Sequence, residues 1–595
     1  MKKTWSLLKE VTGKKNNSKP IPKQFVKDDV VLKNEIDIVN EFNIFFTNIG
    51  PNLAKTIPPS KHAKITDYLP DFISNTMFLM PVTNNELLAT VSQLANKKSQ
   101  DHDDLDMSTV KVIVPHAMSP LLHIFNLSFT TGKFPDNMKI AKVIPLFKSG
   151  TKSDFSNYRP ISLLPQFSKI LEKLFCARLV AFVEKNKILF ESQYGFRHNH
   201  STGLALAELV EYVTEAMDKK DSTIGVFIDL KKAFDTVDHS ILIKKLDHYG
   251  IRGLASTWIQ NYLYNRKQYV AVSGLNSHML PIACGVPQGS ILGPILFILY
   301  INDMSRVSDQ LKFIIFADDT NIFHSSPNLD TAASLMNREL EKLNTWFKVN
   351  KLSLNIKKTN YMLFGSNSKK KQKPINIVID NQEISKTEVT KFLGVFIDSH
   401  LSWNHHIDAL RNKLSKSLGI MYRARHFLES NTLYLLYCSL ITPYLDYCCE
   451  IWGATSRKNL NKIEIMQKKA IRIVAKSSYD SHTAPLFRKF NTLKLQHLIS
   501  MKTCCVMYKA NKLLLPGNLQ GRFTKNTEFH NHKTRSNHNF HVSNINTSKR
   551  LNSVLCKGKR LWNSLPVNLK NCFTIHSFKH HFKEYCFTSN PNFTT

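Results

Sequence analysis

A chain of 595 residues is too long for one hydrophobic core and must divide into several domains, while 43% hydrophobic and 10% aromatic residues exclude a disordered polymer. Lys and Arg number 80 against 46 Asp and Glu, a formal charge of +34 with a pI near 9.6. Nucleic acid is the natural partner for that excess, because each phosphate neutralised releases condensed counterions.

The first residues, Met1-Lys2-Lys3-Thr4-Trp5-Ser6, run into polar text without an apolar segment, so no secretory signal is expected. Residues 12 to 23 read as a polar, Pro-punctuated linker, and a second break falls around Pro58-Pro59. Little chemistry is legible before residue 100. From about Phe134 to Phe396 short β-rich runs and amphipathic helices alternate with Gly and Pro, and 224–228 and 313–316 read as buried strands, each ending in carboxylates. The run Ile291 to Ile301 contains Gly293 and Pro294 and is too short for a bilayer, so it is a core element. Met336, Leu340, Leu343 and Phe347 at helical spacing predict a helix over residues 330 to 349. The lysines between Ser368 and Lys373 read as a solvated loop, with a nuclear-import or nucleic-acid patch as the alternative.

Residues 400 to 515 look mostly helical, for example at Leu433, Leu436 and Leu440 before Pro443. Residues 521 to 550 turn rich in Asn, His, Ser, Thr and Lys, which suggests a mobile basic segment. Ten Cys, with adjacent pairs at Cys448-Cys449 and Cys504-Cys505, fit neither a disulfide framework nor paired C-x-x-C zinc ligands, so a reducing compartment fits best. Cys572, His576 and His580 share one helical face with Cys586 beyond them. No closing ligands of suitable geometry are evident, and a basic amphipathic helix is the simpler reading.

Three stretches carry chemistry. In Phe316-Ala317-Asp318-Asp319 two apolar strand halves flank adjacent carboxylates, a costly juxtaposition unless a cation sits there; a solvated turn is the alternative. In Phe227-Ile228-Asp229 a second buried strand ends in Asp. Three carboxylates from two strands of one sheet are what a pair of bridging divalent ions needs. In Cys284-Gly285-Val286-Pro287-Gln288-Gly289-Ser290 the glycines permit close backbone approach to a base or sugar, and the apolar run after it can be a helix beneath the site.

The ordered set of these motifs resembles the reverse transcriptases. Phe227-x-Asp229 with Ala233-Phe234-Asp235, then 285–290, then Phe316-Ala317-Asp318-Asp319 match successive motifs of that family. Asn157-Tyr158-Arg159-Pro160-Ile161-Ser162 and Gln193-Tyr194-Gly195-Phe196-Arg197 resemble the finger motifs of the non-LTR (LINE-like) class. Leu354-Asn355-x-x-Lys358-Thr359 and Phe392-Leu393-Gly394-Val395 resemble its later palm motifs, and Leu561-Trp562-Asn563-Ser564-Leu565-Pro566 is similar to the C-terminal region of jockey-like elements. The order of these motifs, which together span most of the chain, makes the resemblance specific.

The resemblance implies an α+β right-hand polymerase fold: an N-terminal linker and extension over 1–130, fingers and palm with an antiparallel sheet over 131–399, a helical thumb over 400–515 and a basic C-terminal region over 516–595. It implies RNA-directed DNA polymerase (nucleotidyltransferase) activity, moving dNMP from dNTP to a primer 3′-hydroxyl on an RNA template. Asp229, Asp318 and Asp319 would be the catalytic triad holding two Mg²⁺, with Mn²⁺ an alternative for an all-oxygen site. Lys148 and Arg159 would contact the triphosphate from the fingers, Lys152 competing with Lys148, and Lys358 would stand nearby. Gln288 and Gly289 would position template or nucleotide, and Phe234 would lie beneath the sugar as a steric gate, its alternative being simple core. Asp235 and His239 read as structural. Implied partners are an RNA template, a DNA primer or target and dNTPs, with no membrane. A nuclear location follows from the DNA target, with cytoplasmic ribonucleoprotein also open.

Two departures stand out. Asp101 occupies a position where relatives usually show Gly, which puts that turn in doubt, and nothing in the first 100 residues can host the endonuclease domain that full-length relatives carry. Rival readings are an RNA-dependent RNA polymerase, disfavoured by Phe234 and by Ala317 before the paired Asp, and a catalytically inactive nucleic-acid-binding relic of a mobile element.

Overall fold

In the computed structural model, residues 22, 24–27, 30–58, 63–365, 375–528 and 537–589 are described. The linker expected over 12–23 lies almost wholly outside them, and the lysines of 368–373 lie outside altogether. The elements that build the site are, in chain order, helix α1 (Glu35–Lys55), strands β1 (Ile140–Phe147) and β2 (Tyr158–Leu163), helices α2 (Gln166–Lys185) and α3 (Thr202–Asp218), strands β3 (Ser222–Ile228) and β4 (Lys267–Val272), helix α4 (Gly293–Tyr300), strands β5 (Lys312–Phe316) and β6 (Asp319–Ser326), helix α5 (Leu329–Val349) and strand β7 (Asn360–Phe364).

Strand β3 is central because its apolar run can be covered on both faces. It is the middle of a five-stranded sheet ordered Ser385–Lys386, β7, β3, β6, β5, antiparallel throughout except for the short edge strand. The period of two divides its side chains: Ile224, Val226 and Ile228 join the core with α4 and α5, and Phe227 joins the core with α3. Met336, Leu340, Leu343 and Phe347 of α5 are all buried there, as their spacing requires, each contributing roughly 1.5–3 kcal/mol of apolar burial.

A second sheet runs β2, β1, β4 and Leu275–Asn276, with Leu280–Pro281 also on β4. Helix α1 covers it through a separate small core that includes Phe25, Phe42, Phe46, Phe155 and Tyr158.

The stretch before residue 131, expected to be linker and extension, instead feeds Met77, Val82, Leu87, Val110 and Phe125 into the same core as α4 and α5. Among the described residues no single helix is long and apolar enough to cross a membrane. The one bent pair that passes by composition, Met107–Ile113 with Met118–Thr131, is apolar because it buries Val110, Phe125 and Phe129. The turn at Asp101 forms around the carboxylate itself: Oδ1 accepts from the N–H of Asp103 (3.0 Å) and Leu105 (3.0 Å), and Oδ2 from Gln166 N–H (2.7 Å) at the start of α2. A buried carboxylate acceptor thus organises this turn.

Beyond residue 400 come α6 (Asn404–Ala424), α7 (Ser430–Leu440), α8 (Arg457–Ala475), α9 (Leu495–Asn511), α10 (Val554–Ser564) and α11 (Ile575–Thr588). Helices α10 and α11 pack on α9 through Tyr508, Trp562 and Phe578. The segment expected to be mobile between 521 and 550 is tied down at several of its described residues. Lys525 bridges Phe540, and Asp218 accepts from the backbone N–H of Asn546 (3.0 Å) and Thr547 (2.7 Å). The cause is an acidic stripe on α3: Glu211, Glu215 and Asp218 at helical spacing meet Arg522 and Arg550. Near α11, Cys572 Sγ lies 3.9 Å from His581 Nδ1, His580 pairs with Glu584 and Cys586 is buried, so the four candidate zinc ligands do not converge.

Candidate active site

Adjacent strands deliver the three carboxylates. Asp319 begins β6 opposite Phe316 of β5, leaving Ala317 and Asp318 as the turn, and the pairing of Thr320 with Ile228 brings Asp319 alongside Asp229 at the end of β3. All three line one cleft of about 1110 Å³ together with Lys148, Arg159, Phe234, Gln288, Gly289 and Lys358. The three carboxylates and the six residues assigned to substrate therefore line the same cavity. The competing cation does not: Lys152 lies over the Phe147 ring, 5.6 Å from its centroid, while Lys148 lines the cleft.

The turn is strained and held. Ala317 has φ of +55°, in the left-handed region that costs a side-chain-bearing residue energy. Gln193 stabilises it: its Oε1 accepts from Ala317 N–H at 3.0 Å and from Gly195 N–H at 2.9 Å, while Tyr194 N–H and Ile315 N–H pair this segment to β5 as a short added strand. A Cβ at Gly195 would stand 2.5 Å from Ala317 N, so the segment can approach the turn only with Gly there. Gln193→Met keeps the size and removes the acceptor. It should leave two buried N–H groups unpaired, destabilise the fold by about 1–3 kcal/mol and speed amide exchange at Ala317. Unchanged protection at Ala317 in hydrogen exchange would show that Gln193 does not hold the turn.

Asp229 is held from the other side. Asn355 Nδ2 donates to its Oδ2 at 2.7 Å, Asn355 N–H to its carbonyl at 2.8 Å, and its own N–H donates to Thr359 Oγ1 at 3.3 Å. The stretch Leu354-Asn355-x-x-Lys358-Thr359 is thus a clamp on the first carboxylate as well as the source of Lys358.

The electrostatics are those of crowded like charges. Burial, then the neighbouring Asp318 and Asp229, pushes the Asp319 carboxyl up to about 6, and burial with Asp229 raises Asp318 against the pull of Arg159 and Lys148. Burial and the cations Arg159 and Lys358 lower Lys148. Both aspartates of the turn open onto the cleft, so the shift reflects its enclosing walls as much as loss of solvent contact. Among the described residues no three potential ligands are drawn into a closed metal cage. The donor set is nonetheless all-oxygen and anionic, mutually repelling and faced by solvent, which suits a hard divalent cation.

The loop 284–289 is fastened to the turn after β3. Val286 N–H donates to Phe234 O at 2.9 Å, Gly285 N–H to Val237 O at 2.8 Å, and His239 Nε2 lies 2.8 Å from Gly285 O. Gly285 (φ +84°) has Asp235 backbone where a Cβ would be, and Gly289 (φ +129°) has the Ser162 carbonyl of β2. Gln288 faces the cleft, but its Nε2 donates to both carboxylate oxygens of Asp235 at 2.8 Å. Its amide nitrogen is therefore committed to the turn, so Gln288 shapes the cleft floor through Asp235. Lys232, not singled out in the sequence, also lines the cleft and donates to Tyr158 O at 3.4 Å.

Burial pushes Asp235 up to about 6 against the Gln288 bond and Lys232. Its folded value exceeds the unfolded one, so the folded state keeps a proton between about pH 4 and 6 that the unfolded state has lost, and stability from this group falls as pH rises through that window. Asp235→Asn retains an acceptor for Gln288 and removes the titration. Relative to wild type it should gain stability from pH 4 to 6, by at most about 1.4 kcal/mol per pH unit, and then level off. Urea unfolding at pH 4, 5, 6 and 7 tests this; a flat difference would rule it out.

Residues 148–397 match the family model described as reverse transcriptase (RNA-dependent DNA polymerase). Among curated relatives, the RNA-directed DNA polymerase from mobile element jockey of Drosophila melanogaster is 30% identical over 450 residues, covering 74% of this chain and 49% of the relative. The probable RNA-directed DNA polymerase from transposon BS of the same species is 28% identical, covering 74% and 50%. A Pol polyprotein from the type-1 element R1 of Bradysia coprophila is 24% identical, covering 63% and 37%. The chain spans about half the length of the first two relatives.

Proposed function

We propose, from the match of residues 148–397 to the reverse transcriptase family model, that this chain acts as the RNA-directed DNA polymerase of a non-LTR mobile element. The observation that carries the reading is the delivery of Asp229, Asp318 and Asp319 by neighbouring strands into a cleft whose other wall presents Lys148, Arg159 and Lys358. A carboxylate wall facing a cationic wall suits two divalent ions beside a triphosphate. Asp229, Asp318 and Asp319 would hold two Mg²⁺, or Mn²⁺, which when bound lower the pKa of a primer 3′-hydroxyl and neutralise departing pyrophosphate.

The protein's own share is positioning and electrostatics. Lys148, Arg159 and Lys358 take the triphosphate charge. Gln193 and Asn355 hold the carboxylates in place, and the Phe234 ring forms the floor under the sugar. In this reading 131–399 are fingers and palm, α6 to α9 are the thumb, and 516–595 a basic C-terminal region that braces the palm through α3. RNA template, DNA primer and dNTPs are the substrates, and a chromosomal target places the reaction in the nucleus.

Primer extension on homopolymer RNA and DNA templates, with dNTPs and with rNTPs, tests the reading. Incorporation of dNMP on RNA is the expected result. Incorporation of rNMP alone would make the chain an RNA polymerase, and tight template binding without extension would make it an inactive relic.

A further inference from the structure

Helix α1 carries no recognisable motif, yet it forms a wall of the catalytic cleft. Ile44, Phe45, Asn48, Ile49 and Asn52 line the cavity that holds Asp229 and Asp318. Positions 44, 48 and 52 are four apart, hence one stripe of the helix, and all three side chains are exposed to the cleft. Neither carboxamide has a hydrogen-bond partner among the described residues.

The opposite face of α1 is anchored. Asn43 Nδ2 donates to the carbonyls of Gln268 (3.2 Å) and His278 (2.8 Å), its Oδ1 accepts from Gln268 Nε2 (3.0 Å), and Asn40 Oδ1 accepts from His278 N–H (3.0 Å). Phe42 stands edge-on to Phe25, Phe155 and Tyr158 at 4.7–5.0 Å. Gly50 sits so close on the turn after β3 that a Cβ would overlap Cys284 Sγ and the Asp235 carbonyl. The stripe is therefore held at a set height above the carboxylates.

The two walls differ in chemistry. Cations at Lys148, Arg159, Lys232 and Lys358 face the cleft from β2 and the segments after β1, β3 and α5, whereas the cleft face of α1 has Glu41 already neutralised by Lys27 at 2.6 Å and otherwise only amide, aromatic and aliphatic groups. Phosphates belong to the cationic wall. Free carboxamides beside an aromatic ring suit the edges and faces of bases, which are accessible only where a strand is unpaired. We infer that the α1 stripe of Ile44, Phe45, Asn48 and Asn52 binds unpaired template bases entering the site ahead of the primer terminus.

This rests on the polymerase reading but is tested without turnover. RNA templates carrying 4-thiouridine at the insertion position or the next three downstream should photo-crosslink to residues 35–55. The Asn48→Ala/Asn52→Ala protein should bind a primer–template with a 5′ template overhang roughly tenfold more weakly while binding a blunt duplex as before. Ala is the better helix former at these exposed positions, so the variant should fold. Template crosslinks that never reach 35–55, crosslinks there only from primer or from 4-thio-dUTP, or equal loss on blunt and overhung duplexes would each overturn the inference. Wild-type protein that crosslinks through α1 but extends no primer would refute the polymerase reading and leave this contact standing. Extension without the crosslink would do the reverse.

Discussion

Asp318→Asn is expected to lower primer extension at least about 100-fold while leaving template binding and fold intact, since removing one preorganised charge from a transition-state site costs about that much. The separation of effects follows from the structure. Asp318 sits in a two-residue turn whose backbone is held by Gln193 and whose strands are paired along β5 and β6, so the isosteric amide disturbs no packing. Its carboxyl is pushed up by burial and by Asp229, so losing the charge relieves repulsion in the metal-free protein, and thermal stability should stay level or rise. The cations Lys148, Arg159 and Lys358 of the facing wall are untouched. Retention of more than about one tenth of the wild-type rate, a cost of only about 1.4 kcal/mol, would remove Asp318 from the site.

That turn also shows what sequence can and cannot disclose. Strands β3 and β5 were legible because uninterrupted apolar runs of that length ending in carboxylates leave few alternatives, β6 because an apolar strand half follows the paired aspartates, and α5 because its four apolar positions fall on one helical face. Gln193 was visible only as a letter in a motif: nothing local to it says that its amide oxygen reaches a strained residue 124 positions away. Helix α1 was silent because its task is expressed in Asn48 and Asn52, which are unremarkable on any exposed helix until the cleft is seen beneath them. The assignment of Gln288 to substrate could not anticipate Asp235 as the partner of its amide nitrogen, since the pairing depends on how two loops meet. The region after 521 looked mobile from composition, but its cations have acidic partners on α3, more than three hundred residues earlier. What escapes reading in each case is a long-range polar contact, where neither partner carries a periodic signal.

Phe234→Val is expected to raise ribonucleotide incorporation relative to deoxyribonucleotide by about 100-fold, which needs only a few kcal/mol of relieved clash. The ring is half-buried on the cleft floor, stacked on Phe297 of α4 at 4.3 Å and 24° and standing edge-on to Phe196 at 6.3 Å. Its backbone carbonyl is fixed by Val286 N–H, so the ring cannot retreat from a bulkier sugar by moving the chain. A nucleotide held by Asp229 and by the finger cations would rest its sugar over this ring, and a 2′-hydroxyl would meet the ring edge. Valine shortens the side chain and keeps an apolar floor. It also leaves a gap against Phe297, so a stability loss of about 1–3 kcal/mol should accompany the change and by itself lower both activities alike. The ratio separates the two roles. Single-nucleotide incorporation of dCTP and CTP on one RNA template, measured for both proteins at a temperature where both are folded, gives that ratio directly. A variant that loses both activities in proportion, with the ratio unmoved, would make Phe234 a packing residue beneath the floor and leave sugar discrimination to another side chain of the cleft.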